Sequence, residues 1–540
     1  MTSTAVPSSS VTLGRKSARR VLILGGIALI AGGMLFGDIF AVFILHQNGA
    51  RTGETLLAAT RAVAARDSAG VKEDFARIGG LLEDHGTKLD AHAHMIAAGY
   101  LALMLALLQS YVAFSSRTRK IFAQVFVAGG LLLPLGIFLI HYVGLAYSPF
   151  KVIGWASLLA DSAGALLIAA LLGEAWGLWR YYRGKRGDNA EPLLPQDHSW
   201  ENRTLLAGGT VLILLGFLYG AWYAGNDLYE HEAREKTILG TMLNTSAGGG
   251  DATQSVSDYG TLQAEKAVDI AAHSHVIEFG LLAILLSFIQ PFVFFASRLK
   301  RFWVKLMLAG SIILPVFVRL EMRLGLIAGG IADIGGLMVL IALIGMLTGV
   351  VRYPVALDAL RRGAMSASQL LIFGGLILAA FGMLYGLHYA LFVEHQTLDR
   401  MGGSLATAFV DAAERNLPAA QLAIDNYAKT KYDYVRQVDA HSHWIGLAML
   451  MIIFGAVLDR TGFTERTRFI IAIALALGSF GFPGAVILQT VTHGSLFSSA
   501  LAVVGSALVI GAMLAAAVGF ARQRIQSDHV PRISETGQRR

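Results

Sequence analysis

Asp90-Ala91-His92-Ala93-His94 opens a long apolar run, and the pattern returns as Ala271-Ala272-His273-Ser274-His275 and as Asp439-Ala440-His441-Ser442-His443. Each copy has a further histidine 46 or 42 residues upstream: His46, His231 and His395. A chain that matches itself at fixed places is one unit used several times, and that settles the architecture before local propensities are weighed. The unit occurs three times.

Outward from these motifs the chain is a series of apolar runs. About 20 apolar residues as helix cross the roughly 30 Å hydrocarbon core of a bilayer. Twelve runs of that order lie near 21–45, 92–114, 121–146, 152–179, 203–226, 272–297, 302–326, 328–351, 368–393, 441–459, 468–491 and 495–521. With 55% hydrophobic residues, only 15% charged and 60 glycines, the composition is that of a membrane protein. The expected fold is all-α and integral to the membrane: twelve transmembrane helices as three four-helix repeats with pseudo-threefold symmetry. The units cover 21–186, 200–356 and 366–524, between cytoplasmic tails at 1–20 and 525–540.

The match between copies runs beyond the histidines. Gly33-Met34-Leu35-Phe36-Gly37 corresponds to Gly382-Met383-Leu384-Tyr385-Gly386 and to Gly216-Phe217-Leu218-Tyr219-Gly220. The first run has the charge and length of a signal peptide. Its counterpart in the third copy lies mid-chain, so the first helix is expected to be retained. Each third helix carries a proline (Pro134, Pro315, Pro483), which removes a backbone hydrogen bond and should kink it. Two of the fourth helices carry an acid, Asp161 and Asp333, suited to proton transfer or to bonding a neighbouring backbone.

Basic clusters at Arg15–Arg20, Arg117–Lys120, Arg180–Arg186, Arg298–Lys305, Arg352–Arg362, Arg460–Arg468 and Arg522–Arg524 all fall on one side of such a topology. By the positive-inside rule that side is cytoplasmic, with both termini, in a plasma or inner membrane. The net charge of +7 is this bias and does not point to nucleic acid; the bilayer is the expected partner. Three long outer segments, 47–90, 228–270 and 395–440, are read as loops with some helical patterning, such as Leu56-Leu57-Ala58-Ala59. The absence of cysteine excludes disulfides, iron–sulfur clusters, thiolate ligands and covalent c-type haem.

Residues i and i+2 of a helix point about 200° apart. A His-x-His within a helix therefore serves two sites, one on each side. Three such helices around a threefold axis place the first histidine of one opposite the second of the next, across three gaps. Two imidazoles per gap suit haem iron, which takes one axial ligand on each face. His92, His94, His273, His275, His441 and His443 are the candidate cofactor-binding and iron-ligating residues, for one to three haem b groups. If the helix unwinds at Asp90–His94, both rings and His46 suit copper or zinc instead, with Asp90 and Asp439 bonding a ring N–H. His46, His231 and His395 are expected to support the site, as are Arg319 and Arg323, which suit haem propionates. With Glu321 these arginines put three charges in one turn of an apolar helix, and an internal ion-pair cluster is the alternative. His141, His388 and His493 sit near outer helix ends as interface or propionate contacts.

Three four-helix arcs with histidines on helices two, six and ten resemble the main subunit of haem–copper oxidases and nitric oxide reductases. In that family the tenth helix carries a His-x-His whose rings serve two haems, as His441-Ser442-His443 would. The second helix carries a low-spin haem ligand, the role of His92 or His94. The family's sixth helix has a histidine followed by Pro-Glu and a tyrosine, and its seventh a His-His pair for copper. This chain has His273-Ser274-His275-Val276-Ile277-Glu278, and Arg319, Glu321 and Arg323 with no histidine on the seventh. The chain also resembles a fused trimer of styrene oxide isomerase, a four-helix haem-b unit whose second helix opens Ala-His-Ser, as at Ala272-His273-Ser274 and Ala440-His441-Ser442. That family keeps one histidine per unit and an open iron face; a second histidine would close it.

Three functions follow as expectations. The first is a haem-b membrane protein with a redox role and an electron donor or acceptor, related to haem–copper oxidases without the copper site. The second is a haem Lewis-acid isomerase acting on a lipophilic small molecule. The third is a metal-handling transporter, since twelve helices and outward histidines also suit that class.

Overall fold

The computed structural model describes residues 17–143, 155–185, 197–248, 250–251, 253–353, 365–492 and 494–527. Most of the N-terminal tail, the C-terminal tail from residue 528, part of the basic stretches at Arg180–Arg186 and Arg352–Arg362, and His493 lie outside them. The described residues are helical, with no strand among them.

In the first unit α1 (Ala18–Phe40) runs through a π-helical segment, Ala41–Leu45, into α2 (His46–Ala65). Then come the long α3 (Ser68–Leu108), α4 (Ser116–Val143) and α5 (Trp155–Tyr182). The same succession follows as α6 (Trp200–Trp222), π segment Tyr223–Asp227, α7 (Leu228–Ala247), α8 (Thr253–Ile289), α9 (Ser297–Leu324) and α10 (Leu326–Val351). It recurs as α11 (Ala367–Tyr389), π segment Ala390–Glu394, α12 (His395–Ala413), α13 (Leu417–Val457), α14 (Glu465–Thr492) and α15 (Leu496–Ser527).

Among the described residues twelve helices are long and apolar enough to cross a membrane, so this is an all-α, multi-pass membrane protein. Pro134, Pro315 and Pro483 lie inside α4, α9 and α14. The units meet through α5 with α6, α10 with α11, and α15 back onto α1. At that last seam Ser506 donates to the Asp38 carboxylate at 2.7 Å.

The three long helices α3, α8 and α13 touch one another and form the interior. Ala98–Gln109, Phe279–Gln290 and Trp444–Gly455 are buried without a break. A helix apolar on every face has to sit inside other helices, and the outer helices supply that shell.

The segments expected as loops are helical hairpins. α2 packs on the first half of α3, α7 on that of α8, and α12 on that of α13, and the hairpins pack on one another. Their shared core holds Leu56, Val63, Val71, Phe75, Met242, Val256, Leu405 and Phe409, with Phe75 and Phe409 rings 5.6 Å apart. Leu56, Ala59 and Val63 recur at helical spacing, and a charged opposite face hid this stripe in a hydropathy reading. Two reversals are built alike: Arg66 (φ 59°) precedes the cap Asp67, and Arg415 (φ 63°) precedes the cap Asn416. A side chain in that left-handed region costs about 1–2 kcal/mol, offset by the capped N–H groups.

Candidate functional site

The site lies where the solid interior opens. Above the buried stretches, Asp90, Ala93, Ile270 and Ser442 are exposed although they lie on α3, α8 and α13. The continuous burial of these three helices therefore ends at that level. From His441 to Val457 is 16 residues of helix, about 24 Å at 1.5 Å per residue. The histidines thus sit most of a bilayer thickness from the arginine-rich end.

α3 is continuous through Asp90–His94, as α8 and α13 are through their motifs. The unwinding that would let one pair share an ion with His46 does not occur. The rings of each pair face different neighbours. His92 (α3) lies 6.4 Å from His443 (α13), centroid to centroid, and His441 (α13) lies 6.4 Å from His275 (α8). His273 (α8) has His94 (α3) as its electrostatic neighbour. Every contact joins a first histidine to a second histidine of another copy.

The two kinds of histidine are held differently. In the first of each pair, Nδ1 donates to a glycine carbonyl of the preceding membrane helix: His92 to Gly33 (2.7 Å), His273 to Gly216 (2.9 Å) and His441 to Gly382 (3.0 Å). One turn later stands a second glycine, Gly37, Gly220 or Gly386. A methyl built there would overlap the histidine ring. The repeated glycine pair is thus a cradle: one carbonyl takes the ring proton, and one missing side chain admits the ring. In the second of each pair, Nδ1 donates to the carbonyl four residues back: His94 to Asp90 (2.7 Å), His275 to Ala271 (2.6 Å) and His443 to Asp439 (2.6 Å).

Those bonds also set the tautomer. A carbonyl only accepts, so each Nδ1 carries the proton, and in a neutral ring Nε2 keeps its lone pair. None of the six Nε2 atoms is among the buried polar atoms lacking a partner. The aspartates act differently from the expectation that Asp90 and Asp439 bond a ring N–H through their carboxylates. Their backbone carbonyls do so, which explains why Ala271 serves equally in the second copy.

Arg319 pairs with Asp269 (2.7 Å), whose carboxylate also accepts from Tyr219 (2.9 Å). Arg323 is exposed. The ion-pair alternative thus describes Arg319, and Asp269 was missed because it lies 50 residues from it in sequence. His231 lies 3.8 Å from Glu265 and is buried in the hairpin region. His46 and His395 are the first residues of α2 and α12, directly after a π segment, a feature frequent at functional sites. Glu278 lies on α8 three residues beyond His275, close to Tyr100 of α3.

No protein-family model matches the chain, and no curated protein matches it. The class defined by the fold is a multi-pass all-α membrane protein, and its functional reading rests on the geometry of the site.

Proposed function

We propose that this chain is a haem-b-binding membrane protein with an electron-transfer role, built on three four-helix arcs about a pseudo-threefold axis, like the haem–copper oxidases, without their copper centre. One observation carries the reading: facing imidazoles whose Nδ1 atoms are all tied to carbonyls. A neutral ring tied in this way keeps its Nε2 lone pair as the position that can bind a metal. Metal-binding histidines characteristically donate their other N–H to a carbonyl or carboxylate, as all six do.

The spacing agrees. A ring centroid is about 1.1 Å from its own Nε2 and a metal–imidazole bond is about 2.0–2.1 Å, so coaxial rings on one ion have centroids about 6.3 Å apart. Among the described residues no three His, Cys, Asp or Glu side chains converge as a metal site. Two protein ligands per gap suit an iron that brings its own four equatorial nitrogens. His92 with His443, His441 with His275, and His273 with His94 would hold one to three haems. The group, when bound, supplies one-electron redox chemistry. The glycine carbonyls fix ring orientation, and the apolar walls below exclude water. The positive-inside rule puts the arginine-rich end in the cytoplasm and the hairpins outside.

An absorption spectrum of the purified protein tests this. The expected result is a Soret band with sharp reduced α and β bands and little change under carbon monoxide, since a six-coordinate iron must first lose a histidine. A rapid stoichiometric carbon monoxide shift would favour the open-faced isomerase. A colourless protein binding copper or zinc would favour metal handling.

A further inference from the structure

A glycine pair aligns the first helices of the three units without a gap: Gly25-Gly26, Gly208-Gly209 and Gly374-Gly375. The next residue is Ile27 in α1 and Leu376 in α11, both buried, but Thr210 in α6. Thr210 is smaller than either, and its hydroxyl is spent on the Leu206 carbonyl (2.7 Å). An apolar crevice runs beside it, between α5 and α6, where the first unit meets the second. Leu178 of α5 and Ile213 and Leu214 of α6 line it, with Leu105 of α3 and Ile284 of α8 beneath. The acid at its edge, Glu174, accepts from the Gln109 amide with both oxygens (3.0 and 3.1 Å).

The crevice points toward the arginine-rich end. Seven residues before Thr210, about 10 Å of helix, Arg203 lies over the Tyr182 ring at 5.6 Å. Arg183, next to Tyr182 in the chain, lies over Trp179 at 4.7 Å, and Trp179 stacks on Trp176 at 4.6 Å. Arg183, Arg203, Trp176 and Trp179 are all exposed. Among the described residues neither arginine is paired with a carboxylate, and the nearby Glu201 is held by Arg301 (3.3 Å). The Tyr182 hydroxyl is buried without a hydrogen-bond partner. At the α10–α11 seam Gln369 stands in the place of Arg203, and Thr348 and Val351 in those of Trp176 and Trp179. In the first copy Arg20 keeps the charge of Arg203, but beside the bulkier Ile27.

We propose that the α5–α6 seam binds an anionic phospholipid of the leaflet on the arginine-rich side. Its phosphate sits on Arg183, Arg203 and the Tyr182 hydroxyl, and an acyl chain enters the crevice. Guanidinium groups with no carboxylate suit phosphate, which they bind through paired N–H groups. Tryptophan favours the headgroup level, and basic pockets between membrane helices take anionic headgroups. Charge and apolar lining thus lie in the order that such a lipid presents them. The bound chain closes a seam where the other units carry larger side chains, and where α15 and α1 also share the Ser506–Asp38 bond. This site does not depend on what the histidine gaps hold.

Native mass spectrometry of the full-length protein, released from detergent holding equal amounts of phosphatidylglycerol and phosphatidylcholine, counts the lipids retained. The expected result is one phosphatidylglycerol held in preference to phosphatidylcholine. Arg203→Gln should lower its retention about fivefold, the factor that one arginine contributes near an anionic headgroup. Thr210→Leu, which fills the crevice, should lower it by a similar factor. Gln369 and Leu376 already occupy the matching places in α11, so the fold accepts both replacements. Arg352→Gln, at a basic position on α10 away from the crevice, should leave retention unchanged. Equal retention of the two lipids, or variants that hold phosphatidylglycerol as well as the wild type, overturns the site. Displacement of the lipid by inorganic phosphate, or a dimer that carries no lipid, overturns it too.

Discussion

At Gly386 the absent side chain lets the His441 ring lie against the α11 backbone, while the Gly382 carbonyl one turn earlier takes its Nδ1 proton. Gly37 and Gly220 stand in the same relation to His92 and His273. Gly386→Ala forces the ring or the helix to move, an overpacking cost of about 1–3 kcal/mol. The expected outcome is loss of the haem in one gap with the others retained, read as haem per protein. Gly403, on α12 with no atom within 4 Å of a built methyl, is the control. Alanine there should be neutral or raise stability by up to about 1 kcal/mol through helix propensity. Unchanged haem content in Gly386→Ala would remove the cradle from the site.

Among elements, each long helix serves two gaps because its paired histidines point to opposite sides. On the proposed reading, His441→Ala should disturb a haem in the gap with His275, and His443→Ala one in the gap with His92. Reduced spectra of the two variants should therefore lose different components; loss of the same one would contradict the pairing. The twelve spans and the opposed histidines were legible in the sequence, because bilayer thickness and helical twist act on residues close together in the chain. The hairpins were not, since α2, α7 and α12 bury narrow stripes under charged faces and so read as loops. The glycine pairs were visible as a repeated motif, but sequence shows neither a carbonyl's direction nor a missing methyl's neighbour. The Arg319–Asp269 and Ser506–Asp38 contacts, 50 and 468 residues apart, exist only through packing.

For the whole molecule, three linked units close the interior below the histidines and leave it open among them, under a lid of six packed helical segments. A solid base seals the arginine-rich side from the site. The continuous burial of α3, α8 and α13 ends at the level of the paired histidines. On the proposed reading each occupied gap holds iron with imidazole on both faces. Low-temperature electron paramagnetic resonance of the oxidised protein reads that ligation. Low-spin ferric signals characteristic of two imidazole ligands, accounting for the bound iron, are the predicted result. A high-spin axial signal as the main species, or a protein that carries no haem iron, would contradict it.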